Sequence, residues 1–300
     1  MVVGSLRVRV LVVALALAVV PLAAAAPQRD TSTYDGLGTW VDIFAAQSWA
    51  NPQLAVEGMA ARGVRTLYLE TGNYRQTSDL VRPAGLAAFL TAAHTAGLRV
   101  VAWYLPGLAD PRVDLRRSLA AIRFRAAGGE RFDSFALDIE ASLVKSVPLR
   151  NRRLLQLSQR LRAAVGPGYS LGAIIPSAVG MSFHPSYWPG FPYRQLARTY
   201  DVFLPMAYST YRAHGRDATF AYVASSVAAI RDTVGDPDVA IHVIGGLSGG
   251  MGAAETAGFM NAIAACVPPG YSLYEFPTTR RVAWNLLTAP VQAPVTRACA

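Results

Sequence analysis

The chain has 300 residues, 52% of them hydrophobic, and carries a formal net charge of +9 from 28 basic and 19 acidic side chains. All but one of the basic residues are Arg, scattered over stretches of helical periodicity (Arg116, Arg117, Arg150, Arg152, Arg153, Arg160, Arg162) with no nucleic-acid-binding motif among them, so no nucleic-acid partner is expected. Two cysteines without CxxC spacing and four histidines far apart give no metal-ligand pattern, so neither a metal nor a cofactor is expected.

In chain order, Arg7 and Arg9 precede an apolar run over 10–20 and then a tract of small residues, the layout of a secretory signal peptide. Pro27 disfavours cleavage just before it, which places the cut after Ala25 and the leader at 1–25. The apolar run is shorter than the roughly 20 residues a bilayer core requires, so the mature chain is expected without a membrane span and in a secreted or extracytoplasmic location. Losing Arg7 and Arg9 lowers the formal charge to +7. Residues 26–287 are then read as one domain, and the Pro/Ala-rich 288–300 as a peripheral tail.

Within 26–287, eight short apolar runs alternate with amphipathic stretches, with no linker between them. The runs rich in β-branched and aromatic residues predict strands over 39–46, 64–70, 98–105, 132–140, 169–176, 202–209, 239–247 and 270–276. Helices are predicted between them, as at 52–62, 83–96 and 111–126. Each of these starts on a proline, Asn51 or Asp110 caps two of them, and Gly63, Gly97 and Gly128 are placed to close them. Eight βα units without a GxGxxG loop after the first strand predict an α/β fold of the closed (β/α)8 TIM-barrel type rather than an open nucleotide-binding sheet. The glycine-rich 245–252 lacks P-loop spacing and is read as a turn. Cys266 and Cys299 would tie the tail to the domain if export lets them pair, which spacing does not establish.

Barrel enzymes work at the carboxyl ends of their strands, so acids there are the candidates. Glu70 ends the second strand, Asp138 and Glu140 end the fourth, Asp42 falls in mid-strand on the first, and Glu275 lies near the end of the eighth. Alternation puts Ala136, Asp138 and Glu140 on one face, the last two with Cα atoms about 6.6 Å apart. Two carboxyls sharing a partly desolvated wall cannot both ionise easily, which leaves one protonated near neutral pH. Glu140, nearer the mouth, suits a proton donor, and Asp138, one layer deeper, an assisting carboxylate, the combination that glycosidic bond cleavage uses. The aromatics Tyr68, Tyr104, Tyr208, Tyr274, Trp40 and Trp103 are candidates for a sugar-binding rim, as is the loop MSFHPSYWPGFPY, which holds Trp188.

The segment FDSFALDIE resembles the strand-four signature DGxDxDxE of family 18 glycoside hydrolases, with Asp133, Asp138 and Glu140 at its first, third and fourth acidic positions. Ala136 stands at the second acidic position and Ser134 at the glycine. Met206-Ala207-Tyr208-Ser209 is similar to that family's MxYD motif, with Ser209 in place of the Asp. The resemblance implies a chitinase-like barrel in which Glu140 is the catalytic acid, Asp138 assists and Met206 and Tyr208 contact substrate. It also implies that Ala136 and Ser209 weaken the family's substrate-assisted route. A DxE pair is similar as well to family 25 lysozymes, with Asp42 as the analogue of their strand-one acid. Together these readings give a monomeric, secreted glycoside hydrolase-like protein. It would act on a polysaccharide, peptidoglycan or oligosaccharide, with Glu70, Tyr104, Asp42 and Trp188 joining Met206 and Tyr208 in binding. The alternative is a glycan-binding barrel of the cell envelope that has lost catalysis.

Overall fold

Eight parallel strands close on themselves in the computed structural model, which describes Met1, residues 30–289 and Cys299. The expected leader and most of the expected tail lie outside these residues. The elements run β1 (Gly36–Val41), α1 (Ala46–Ala50), α2 (Pro52–Ala60), β2 (Thr66–Asn73), α3 (Pro83–Thr95), β3 (Arg99–Leu105), α4 (Pro111–Arg123) and β4 (Ser134–Asp138). They continue through α5 (Val147–Val165), β5 (Leu171–Pro176), α6 (Ala178–Ser182), α7 (Tyr193–Leu196), β6 (Val202–Met206), α8 (Arg216–Val234), β7 (His242–Leu247), α9 (Ala253–Cys266), β8 (Gly270–Tyr274) and α10 (Arg281–Leu287). Each strand pairs with the next in sequence, and β8 returns to β1 through the register Gly36↔Gly270 to Thr39↔Leu273. The expected (β/α)8 barrel is therefore the observed fold.

Local signals account for the helix ends. Asn51 Oδ1 accepts from the Leu54 N–H at 3.1 Å, and Asp110 Oδ1 from the Arg112 N–H at 2.9 Å, each ahead of a proline in the first turn. Gly63 and Gly97 take φ of 67° and 76° just past α2 and α3, a conformation costly for any residue with a Cβ. The expected cap at Gly128 is not one: α4 stops at Arg123, Phe124 turns extended and sets its ring 6.0 Å from Phe132, and the positive φ belongs to Gly129.

Two apolar layers follow from strand alternation. Leu67, Leu69, Val100, Ala102, Phe135, Leu137, Ala173 and Ile175 face outward into the layer shared with the helices. Trp40, Tyr68, Val101, Trp103, Ala136, Ile174, Val202, Leu204 and Ile244 fill the barrel itself. Toward its amino-terminal end the interior is polar but satisfied. The fully buried His242 meets Tyr68 Oη and the Tyr34 carbonyl through Nδ1 and Ser272 Oγ through Nε2, at 2.8 to 3.0 Å, and burial depresses its pKa to about 4. A neutral ring packed this way plugs the bottom. Gly38 and Gly270 leave room for it, since a Cβ on Gly38 would fall 2.6 Å from Tyr68 and one on Gly270 2.2 Å from His242.

Cys266, at the end of α9, is bonded to Cys299, closing a loop of sequence separation 33. Cross-linking a loop of this size restricts the unfolded chain, so replacing both cysteines by Ala is expected to lower unfolding free energy by about 2–4 kcal/mol. Denaturation of wild type and variant without reductant measures it; coincident curves would show that the bridge contributes nothing. No described helix is long and apolar enough to cross a membrane.

Candidate active site

The carboxyl ends of the strands surround a cavity of about 320 Å³ whose walls carry Asp42, Glu70, Asp138 and Glu140. Each acid arrives by a short path. Asp138 is the last residue of β4, and the Ile139 N–H bonds the Ile174 carbonyl at 2.8 Å, which carries β4–β5 pairing one residue further and sets Glu140 at the rim. Glu70 lies inside β2, where its Oε2 accepts from the Ile43 N–H at 3.0 Å and its Oε1 from Asn73 Nδ2 at 3.1 Å. That first bond explains why β1 ends at Val41 and not at 46 as expected. Residues 43 and 44 give their N–H groups to the Glu70 and Asp42 carboxylates instead of to a neighbouring strand. Asp42 thus stands just beyond the strand end, at the mouth, and its Oδ2 accepts from Tyr274 Oη at 2.7 Å.

The cavity is floored by aromatic rings. Trp40 stacks on Tyr68 with centroids 4.2 Å apart and planes 13° apart, and lies 6.1 Å from Trp103 and 6.2 Å from Tyr274; Tyr208 is 6.3 Å beyond Tyr274. Trp40 Nε1 donates to Ser272 Oγ at 2.8 Å, whereas the buried Trp103 Nε1 has no partner among the described residues. Met206 and Tyr208 line the wall opposite Glu70.

Desolvation dominates the electrostatics. Burial, reinforced by the Glu140 and Glu70 carboxylates, holds Asp138 well above the usual carboxylate range, and its buried Oδ1 has no hydrogen-bond partner among the described residues. Burial also raises Glu140, opposed by the Arg75 guanidinium. Glu70 is pushed up to about 7 by burial, against the Ile43 and Asn73 hydrogen bonds, and Glu275 to about 7 by burial and the Asp42 carboxyl. Glu70 and Glu275 therefore retain protons near neutrality, beside the raised Asp138 and Glu140. Among the described residues no group of three or more His, Cys, Asp or Glu is arranged to hold a metal ion.

A raised carboxyl pKa means that the folded state binds the proton more tightly than the unfolded chain. The contribution of neutral Glu70 is full below about pH 4.5 and is lost as pH rises through about 7. Wild type is expected to melt at a lower temperature at pH 8 than at pH 5, and Glu70→Gln to remove about 3 kcal/mol of that pH dependence. Melts across this window test it; an unaltered slope in the variant would disprove the assignment to Glu70.

Asp138, Glu140, Glu70, Asp42, Met206 and Tyr208 meet around one cavity, together with Trp40, Trp103 and Tyr274. Tyr104 and Trp188 do not, and their expected placement is corrected. Tyr104 has the opposite strand parity to Trp103, so its ring enters the helix layer, where Oη donates to Asp114 Oδ1 at 2.7 Å. Trp188 is buried beneath the Arg150 guanidinium, 4.1 Å from its ring, and donates to Asn151 Oδ1. Its neighbours Phe191 and Tyr193 are buried with it, so most of that aromatic loop is packing. Asp133, the first acid of the signature, lies at the opposite end of β4, accepting from the Val100 N–H and meeting His94 Nε2. Not among the sequence candidates are Asn73, Tyr74 and Arg75 of the cavity wall, which follow Glu70 where β2 runs three residues past its expected end.

Comparisons with known proteins bear on this arrangement through the fold. No protein-family model matches the sequence, and no curated protein matches it. Solved structures do. The spore cortex-lytic enzyme SleL of Bacillus cereus superposes with TM-score 0.61 at 10% identity, over 87% of this chain and 75% of the other. A class V chitinase from Pseudomonas fluorescens gives 0.59 at 13% identity over 86% and 100%, and an endo-1,4-β-mannanase from Rhizomucor miehei 0.60 at 9% over 81% and 86%. The likeness is one of fold: the chain shares the (β/α)8 barrel of these structures.

Proposed function

We propose that the chain is an exported glycoside hydrolase acting on a polysaccharide or on peptidoglycan, with Glu140 as general acid and Asp138 as assisting carboxyl. The observation that carries the reading is the pairing of a partly buried Glu140 with a buried Asp138 at the mouth of an aromatic-floored cavity. Glu140 gives its proton to the glycosidic oxygen as the anomeric C–O bond breaks. Water adds to the anomeric carbon and its proton restores Glu140. Asp138, held neutral by burial, lets Glu140 ionise without a second anion beside it. The fold-level neighbours, which include chitinases and a cortex-lytic enzyme, support a glycan as substrate.

The second reading, a barrel that binds glycans without cleaving them, is favoured by the two departures from the family 18 pattern. Ala136 brings no carboxyl to the barrel interior, and Ser209 is buried with its Oγ donating to the Gly245 carbonyl instead of facing the cavity. Assay of reducing-end release from chitin, peptidoglycan and other amino-sugar polymers separates the two. Release that disappears in Glu140→Gln supports hydrolysis; binding without release from any of them supports the second reading.

A further inference from the structure

The acid-lined cavity adjoins a second one of about 770 Å³, and the two share Glu140, Met206 and Tyr208 among their lining residues. The chemistry changes across that boundary. The first cavity carries four carboxyls, whereas the second has Glu140 alone at its edge and is lined beyond it by Tyr187, Tyr211, Tyr222, His184 and Arg212. Arg212 is held in place: its guanidinium lies 4.7 Å over the Phe183 ring and donates to His184 Nε2. No carboxylate pairs with it among the described residues. Phe183, under the guanidinium, and Tyr211, the neighbour of Arg212 in the chain and in the cavity lining, are both exposed rings. Tyr187 ties this wall to the catalytic one by donating to the Glu140 carbonyl.

A guanidinium fixed by stacking and by one hydrogen bond keeps its remaining N–H groups aimed outward as a planar fork, the geometry that takes a carboxylate in two parallel hydrogen bonds. Rings around it suit the C–H faces of a pyranose. We propose that the second cavity is a binding site for a sugar bearing a carboxylate, so that the substrate is an anionic glycan whose chain runs from the acid-lined cavity past Glu140 to Arg212. This rests on the proposed glycan specificity of the mouth and names the class of glycan. It also accounts for the separation of charge. The acids serve the bond to be cut, and Arg212 is not among the charges that shift Asp138 or Glu140, so it can bind an anion without lowering the pKa of either.

Two probes carry the carboxylate in different settings: a peptide-free peptidoglycan strand, with lactyl carboxylates, and an oligouronate. Each is compared with its own methylamide, in which the carboxylates are neutral, and with a neutral N-acetylglucosamine oligomer. Affinities are measured by calorimetry in the Glu140→Gln protein, so that no probe is consumed, with and without Arg212→Gln. The expected result is that at least one carboxylate probe binds roughly tenfold more tightly than its methylamide, that the preference falls with added salt, and that Arg212→Gln removes it while leaving methylamide affinity unchanged. Phe183→Leu, which leaves the charge but loosens its seat, is expected to give an intermediate preference. Equal affinity for each probe and its methylamide, or an equal loss for both in Arg212→Gln, overturns the proposal. Hydrolysis of neutral oligomers by the wild type with no carboxylate preference would sink this inference alone; a carboxylate preference without hydrolysis would sink the catalytic reading alone.

Discussion

Glu140→Gln is expected to lower kcat/KM for glycan hydrolysis by about 10²- to 10⁴-fold, the range that one positioned general acid contributes. The substitution keeps the shape of the side chain and removes only the transferable proton. Glu140 stands at the rim, beyond the last residue of β4, and the Tyr187 bond to this residue goes to its carbonyl, which the variant retains. The fold is therefore expected to be unchanged by circular dichroism and the substrate affinity to remain. A variant that keeps wild-type turnover would remove Glu140 from the reaction.

Asp138→Asn is the next largest effect, a fall in kcat/KM of about 10²-fold together with a change in pH profile. Burial and the neighbouring Glu140 and Glu70 carboxylates raise the Asp138 pKa, so the pair gives up its last proton above the usual carboxylate range. With one of the two carboxyls ionised, its charge opposes loss of the proton the pair still holds. With Asn at 138 that opposition is gone, so the basic limb of kcat/KM is expected to move to lower pH. A rate loss without movement of the limb would make Asp138 structural and not part of the proton-holding pair. The profile separates these outcomes because a packing defect lowers the rate equally at every pH.

The direction of the Glu70 effect on stability is a consequence of the same desolvation. Burial raises Glu70 and Glu275 to about 7, so the conditions that keep their protons also favour folding. A site of this kind works best where the acids are partly protonated, and the protein is expected to be most resistant to unfolding on the acidic side of neutrality.

What could be read from the chain alone follows from periodicity. Eight repeats of an apolar run and an amphipathic stretch, punctuated by Pro52, Pro83 and Pro111 and by Gly63 and Gly97, dictate eight βα units, and units of that size close into a barrel. A period of two along β4 places Ala136 and Asp138 inside the barrel, and the two sit where that period puts them. The same period could have excluded Tyr104, because it adjoins Trp103 and adjacent strand residues face opposite ways.

The tertiary structure decided the rest, since it depends on partners distant in sequence. Asp42 reaches the mouth because the Glu70 carboxylate takes the Ile43 N–H and ends β1 early, a bond between residues 27 apart. Trp188 is buried because α5 lays Arg150 over its ring and sets Asn151 against its Nε1, in a loop that by composition alone suits a sugar platform. Pairing of Cys266 with Cys299 required the two ends of a 33-residue separation to meet. The order of elements is local information written in one strand of sequence. Which acids share a cavity, and how dry that cavity is, is a sum over side chains delivered by all eight strands, and the proton-holding character of the site exists only after they have closed.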